Sequence, residues 1–240
     1  MPPQNGNIQK FGGPWSVVKL DRVEAYLRQF NIALRNKGFT LLYIDAFAGS
    51  GDFSPKKDTS ISLWDEEAEA TAILGSAKRA QAIQPPFDHL FFIESRPRKV
   101  AKLTEAIGAD DRCKVIHGDA NEEVVRICTR LQKMHMARGV IFLDPFGNSV
   151  EWQTLEAIAK TQKLDVWYLC PLAGIYRNAP TNIANLTDEK RLSVSRILGT
   201  TDWIEHFYSA PTNGQMSFLE DSPVLNTRTL DVDGIEKFVA

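Results

Sequence analysis

Five short apolar runs, at 41–45, 90–94, 114–117, 140–144 and 165–170, do most to limit what this chain can fold into. Each is too short for a helix and is bounded by polar or turn residues. Between most of them lie helix-like stretches: SRPRKVAKLTEAIG, NEEVVRICTRLQKMHMA and VEWQTLEAIAKTQ. Strand alternating with helix predicts an α/β fold with a doubly wound, mostly parallel sheet. The near-continuous apolar character of the runs fits strands covered on both faces.

Other segments decorate this frame. Residues 1–14 are rich in Gly, Pro and Asn and read as a loose arm. From Trp15 a helical stripe runs through Val17, Leu20, Val23, Leu27, Phe30 and Leu34, and the glycine of NKG at 36–38 closes it. An insertion at about 52–88 separates the first two runs and ends in a plausible helix, GSAKRAQAI. The expected division is an α/β domain over 1–171 and a helical extension over 172–240 packed on that domain. The final TLDVDGIEKFVA starts an amphipathic pattern and stops inside it, which fits either a truncated C-terminus or a short last helix.

Composition excludes little: 43% hydrophobic and 24% charged residues with a net charge of −2 withhold the strongly basic signature of a nucleic-acid binder. A local cationic face is compatible with that total. Cys113, Cys128 and Cys170 are widely spaced without a CxxC, and read as buried thiols of a cytoplasmic protein, with no metal site. The first residues carry no apolar signal-peptide core, and no apolar run approaches a membrane span, so no membrane association is expected.

The chemistry sits at the strand ends, where open α/β sheets bind ligands. Asp45 ends the first run and FAGSG follows, with glycines at 49 and 51; Glu94 ends the second; GDAN (118–121) follows the third; DPFG (144–147) ends the fourth. The first loop lacks GxGxxG, and an acid there is unfavourable beside phosphates. It suits a cationic amine, and S-adenosylmethionine carries an ammonium and a sulfonium without phosphate. On this reading Glu94 accepts from ribose hydroxyls and Asp119 lies near the adenine amine. The bland reading makes Glu94 and Asp119 helix caps, although acids at four strand ends favour a site. In DPFG, an aspartate and a carbonyl held by Pro145 can grip an exocyclic amino group and aim its nitrogen at a methyl sulfonium. Phe146 can stack on a planar base. DPFG is equally a good turn sequence.

YIDAFAGSG, FFIES, GDAN and IFLDPFG, in this order, resemble the class I S-adenosylmethionine-dependent methyltransferases. DPF is similar to the D-P-P-[YFW] motif of amino-group methyltransferases, without the second proline. A closer resemblance, over most of the chain, is to the three-Cys-motif partner (TcmP) family. It rests on WSVVKLDRVEAYL, YIDAFAGSG, DPFGNSVEW, LDVWYLCPL and RLSVSRILGTTDWIEHFY. The resemblance implies a Rossmann-like methyltransferase fold, S-adenosylmethionine as cofactor, and a three-cysteine-motif protein as partner. Carried over by position, it implies that Asp45, Phe47, Gly49 and Gly51 form the methionine-side loop. Glu94 then holds ribose, Asp119 and Ala120 the adenine, and Asp144, Pro145 and Phe146 the acceptor. Trp15 and Lys19 are loosely similar to a Trp/Lys segment that covers the cofactor in some adenine methyltransferases.

The expected function is methyl transfer to an amino nitrogen of a nucleic acid base, in RNA or DNA, together with a partner protein. The alternatives are a non-catalytic, cofactor-binding partner subunit and a small-molecule or protein methyltransferase. Arg96, Arg98, Lys99, Lys56 and Lys57 are candidate phosphate contacts, with Phe146 or Trp152 as an aromatic platform. Solvated helix surface explains the same cations. Trp203, Phe207 and Tyr208 read as core of the C-terminal helices.

Overall fold

A computed structural model describes residues 14–50, 75–208 and 228–239. Its centre is a five-stranded sheet of β1 (Thr40–Asp45), β2 (His89–Glu94), β3 (Cys113–His117), β4 (Ala137–Leu143) and β5 (Leu164–Tyr168), in the order β3-β2-β1-β4-β5. All four pairings are parallel. Strand order reverses between β1 and β4, so the crevice for a ligand in such a sheet opens beyond the carboxyl ends of the central strands. The fold is the expected Rossmann-like α/β arrangement with an N-terminal helix.

Helices cover both faces. On one lie α1 (Pro14–Leu34), α2 (Ser76–Gln81) and α3 (Pro97–Ile107). Leu20, Val23 and Leu27 of α1 pack there with Ala77 and Ala80 of α2, Leu103 of α3, and the strand residues Leu41, Tyr43, Leu90, Phe92, Val140 and Phe142. On the other lie α4 (Ala120–Gln132) and α5 (Trp152–Thr161), over Leu42, Ile44, Ile93, Ile141 and Leu143. Odd and even positions of β1 thus serve opposite cores, as a two-residue alternation demands. The α1 stripe differs from expectation at one point. Asn31, one turn after Leu27, is fully buried and donates from Nδ2 to the Pro85 carbonyl at 2.7 Å, whereas Phe30 and Leu34 are only partly buried. Gly38, at φ +76°, closes the helix end as expected. The side chains of Trp15 and Val17 lie outside the described residues.

The helix expected over 121–137 stops at Gln132, because Ala137 already pairs with Thr40 as the first residue of β4. Lys163 Nζ takes up the freed carbonyls, donating to Leu131 at 2.7 Å, Met134 at 2.9 Å and Gln132 at 3.1 Å. A cation at a helix C-terminus also suits the helix dipole.

After β5 come α6 (Leu172–Asn178), α7 (Asp188–Leu198), α8 (Trp203–Phe207) and α9 (Val232–Val239). Their core holds Ile175, Val194, Ile197, Trp203, Phe207, Tyr208 and Ile235, so the three C-terminal aromatics are core residues as expected. The pattern at the end of the chain forms a helix. This unit touches the α/β part closely: a Cβ on Gly199 would lie 2.3 Å from Trp152 Cγ. Among the described residues no helix is long and apolar enough to cross a membrane.

Candidate functional site

Strand register gives the site its depth. Asp45 lies opposite Phe92 on β2 and Phe142 on β4. Glu94 and Asp144 therefore stand two residues further toward the carboxyl edge. At about 3.3 Å per residue that is about 6.6 Å above Asp45.

The buried position decides what Asp45 can do. Its carboxyl is fully buried, with Ser76 Oγ donating to Oδ2 at 2.6 Å and the Phe47 N–H donating to Oδ1 at 3.2 Å. Burial pushes its pKa up to about 7, while the bonds from Ser76 and Phe47 pull the other way. Asp45 was expected to face a ligand amine. It lies instead below the cleft with an oxygen engaged on each side, and its local effect is to fold the first loop. That loop also donates from the Ala46 N–H to the Phe142 carbonyl and from the Ala48 N–H to the Ile93 carbonyl, which ties it to both neighbouring strands. Gly49 has φ +66° and open space on its Cβ side, so its need is conformational. Gly51 lies outside the described residues, as do Lys56 and Lys57.

Above the loop lies a cleft of about 260 Å³ whose walls include Phe47, Glu94, Asp119, Ala120, Lys99 and Phe146. The structure brings together five of the expected site residues here. Glu94 is buried and accepts from the Arg96 N–H at 2.8 Å through Oε1. Asp119 is the N-cap of α4; its Oδ1 accepts from the Asn121 N–H at 2.9 Å and the Glu122 N–H at 3.2 Å. Asp119 thus performs the bland capping task with one oxygen, whereas Glu94 bonds the backbone of Arg96, the N-cap of α3, a helix without a side-chain cap. The second oxygen of each takes no hydrogen bond from the described residues, and both residues line the same cleft. Phe146 is 70% exposed, and Lys99 Nζ stands 5.3 Å from its ring centroid.

Asp144, Pro145 and Lys19 are not in the cleft wall. Lys19 of α1 donates to Asp144 Oδ2 at 2.5 Å, so the residue expected at the cofactor is the partner of the residue expected at the acceptor. Trp152 packs part of its indole against Gly199 and remains 41% exposed. Arg96 and Arg98 are exposed.

Two residues without an expected role matter. Ser76, inside the insertion, bonds Asp45, and nothing in its local sequence marks it. Asn121, the last residue of GDAN, holds the loop after β4 through its side chain, with Nδ2 donating to the Ser149 carbonyl at 2.9 Å. The three cysteines are free. Burial pushes the Cys128 thiol up to about 11, and burial followed by Asp110 pushes Cys113 up to about 12, which keeps both protonated at neutral pH. Among the described residues no group of three His, Cys, Asp or Glu side chains is arranged to hold a metal ion.

No protein-family model matches the chain, and no curated protein matches it. Among solved structures it is similar to protein LPL1258 from Legionella pneumophila str. Philadelphia 1, described by family-model DUF519. The identity is 19% and the TM-score 0.41, over 75% of this chain and 72% of that one. It is also similar to a conserved hypothetical protein of Streptococcus pyogenes, at 19% identity and TM-score 0.28, over 57% of this chain and 69% of that one. At these TM-scores neither neighbour carries an argument about function.

Proposed function

We propose that the chain is an S-adenosylmethionine-dependent methyltransferase whose acceptor is an amino nitrogen, with a nucleic acid base as the preferred carrier. The observation that carries the reading is the pair Glu94 and Asp119. They come from the ends of successive strands, face one cleft, and keep one carboxylate oxygen each for a ligand. Glu94 can accept from two ribose hydroxyls, and Asp119 with Ala120 can border an adenine. Phe47 adds an apolar wall from the first loop. S-adenosylmethionine supplies the electrophilic methyl group when bound; the protein's task is to orient the acceptor and desolvate it.

On the acceptor side Phe146 offers an open aromatic face, and Asp144 borders the loop that carries it. Lys19 neutralises one oxygen of Asp144, so its charge toward an incoming amino group is reduced. That pairing favours a second reading, a cofactor-binding subunit that works with a three-cysteine-motif partner without catalysing transfer itself. The resemblance to the TcmP family supports either reading.

Calorimetry with S-adenosylmethionine tests the first step. The intact protein binds it, and Glu94→Ala lowers the affinity at least tenfold. No heat of binding for the intact protein refutes the cofactor assignment. A tritiated methyl-transfer assay against total RNA, DNA and protein identifies the acceptor class. An Asp144→Ala variant that still supports the biological role decides for the partner-subunit reading.

A further inference from the structure

We propose that Asn121 is a positioning residue that ties the loop after β4 to the Asp119–Ala120 end of the cleft, so that the two sides of the site move together. The inference rests on the assignment of those sides to cofactor and acceptor.

Asn121 stands beside Ala120 at the start of α4 and serves both sides with different atoms. Its backbone N–H closes the cap on Asp119 at 2.9 Å. Its side chain works entirely outside the helix. Nδ2 donates to the Ser149 carbonyl at 2.9 Å, and Oδ1 accepts from the Glu151 N–H at 3.0 Å and from Thr154 Oγ1 at 2.8 Å. A carbonyl oxygen has two acceptor sites, and both are filled. The loop passes the constraint onward, since Ser149 Oγ donates to the Phe146 carbonyl at 2.9 Å. A short chain of hydrogen bonds therefore runs from the adenine-side cap to the exposed ring.

The helix itself does not require this residue. Alanine is the better helix former, and the cap on Asp119 uses only the backbone. Only a primary amide of this length offers a donor and a double acceptor here. Aspartate lacks the donor, serine and alanine fall short, and glutamine is one methylene too long. The opposite side of the loop is held too, because Asn148 Nδ2 donates to Ser193 Oγ of α7 at 3.0 Å. The carbonyl oxygen of Asn148 lies 2.2 Å from where a Cβ on Gly174 would stand. Clasped from α4 and from the C-terminal helices, a loop with a mostly exposed phenylalanine keeps a fixed place. Misplacement of reacting groups by about 1 Å can cost about a hundredfold in rate.

Amide hydrogen exchange on the full chain, with and without S-adenosylmethionine, tests the proposal. In Asn121→Ala the protection factors of residues 147–151, Glu151 above all, fall at least tenfold while those of β1 and β2 hold. Calorimetry gives the variant a cofactor Kd within threefold of the parent. Saturating cofactor raises protection of 147–151 in the parent protein and leaves it unchanged in the variant. Should Asn121→Ala fail to fold, Asn121→Asp decides. Its carboxyl is an amide mimic only when protonated, so loop protection is restored toward acid pH and lost as it ionises. Unchanged protection of Glu151 in Asn121→Ala, or pH-independent protection in Asn121→Asp, overturns the clasp. Equal cofactor-induced protection in parent and variant overturns the coupling. A parent protein that ignores S-adenosylmethionine refutes the cofactor assignment instead, and the cofactor-free comparison still judges the clasp.

Discussion

Replacing Asp45 by asparagine should stabilise this protein at neutral pH and leave it nearly unchanged in acid. The side chain is fully buried and its pKa is pushed up to about 7, chiefly by burial. In the unfolded chain an aspartate ionises near 3.9. A raised carboxyl pKa means that the folded state prefers the neutral acid. The stability tied to that preference is fully present below about pH 4 and is lost as pH rises toward 7. At 1.36 kcal/mol for each factor of ten in acidity, the interval corresponds to about 4 kcal/mol. Asparagine keeps the shape: its oxygen can accept from the Phe47 N–H, and its amide can donate to Ser76 Oγ, the two groups that now bond the carboxyl. It never ionises. The difference in unfolding free energy, Asp45→Asn minus parent, should therefore start near zero at pH 4. It should climb by about 1.4 kcal/mol per pH unit and level off near pH 7. Urea unfolding at several pH values from 4 to 8 measures it, and all other titrations cancel in the difference. A pH-independent difference, or a variant that is the weaker protein at pH 8, would show that Asp45 is not held as a buried, proton-binding acid. At neutral pH asparagine is the more stable occupant, and what it lacks is the negative charge beneath the cleft.

Substitutions at three further positions probe the packing and capping around the site. Gly199→Ala combines a φ of +69° with a Cβ placed 2.3 Å from Trp152 Cγ, so it should cost about 2–4 kcal/mol, read as a lowered Tm. Tyr43→Phe deletes a hydroxyl that is buried and takes no hydrogen bond among the described residues. It should be neutral or stabilising by about 1 kcal/mol in urea, and a clear loss would reveal a partner for that oxygen. Asp119→Ala removes a cap bonded to two N–H groups and should cost about 1 kcal/mol, whereas Asp119→Asn retains most of it.

The sheet and its order of helices were legible because their signal is local. Five apolar runs, each bounded by polar or turn residues, can be read without knowing what packs on them, and all five are strands of the parallel sheet. The end of α4 was misjudged because it depends on two distant facts, the pairing of Ala137 with Thr40 and the reach of Lys163. Ser76 was legible only as the start of the insertion's helix, since its importance lies in touching Asp45, a contact that only the tertiary fold makes.

The acids of the site show the same division more sharply. In the sequence Asp45, Glu94 and Asp144 are equivalent, each following an apolar run. Parallel pairing breaks the equivalence, because register rather than composition sets how far each projects beyond the sheet. Opposite Phe92 and Phe142, Asp45 is sunk by about one two-residue repeat and becomes a buried acid that shapes a loop. Glu94 rises into the cleft beside Asp119, and Asp144 rises next to α1, where Lys19 meets it. Those heights leave the cleft deep at β1 and walled by its neighbours, a basin that a flat strand edge could not supply and that the proposed cofactor would need. Sliding β1 by two residues would keep every side chain on its present face of the sheet. It would nevertheless raise Asp45 to the rim and fill that basin, so the register of one strand separates this site from a row of surface carboxylates.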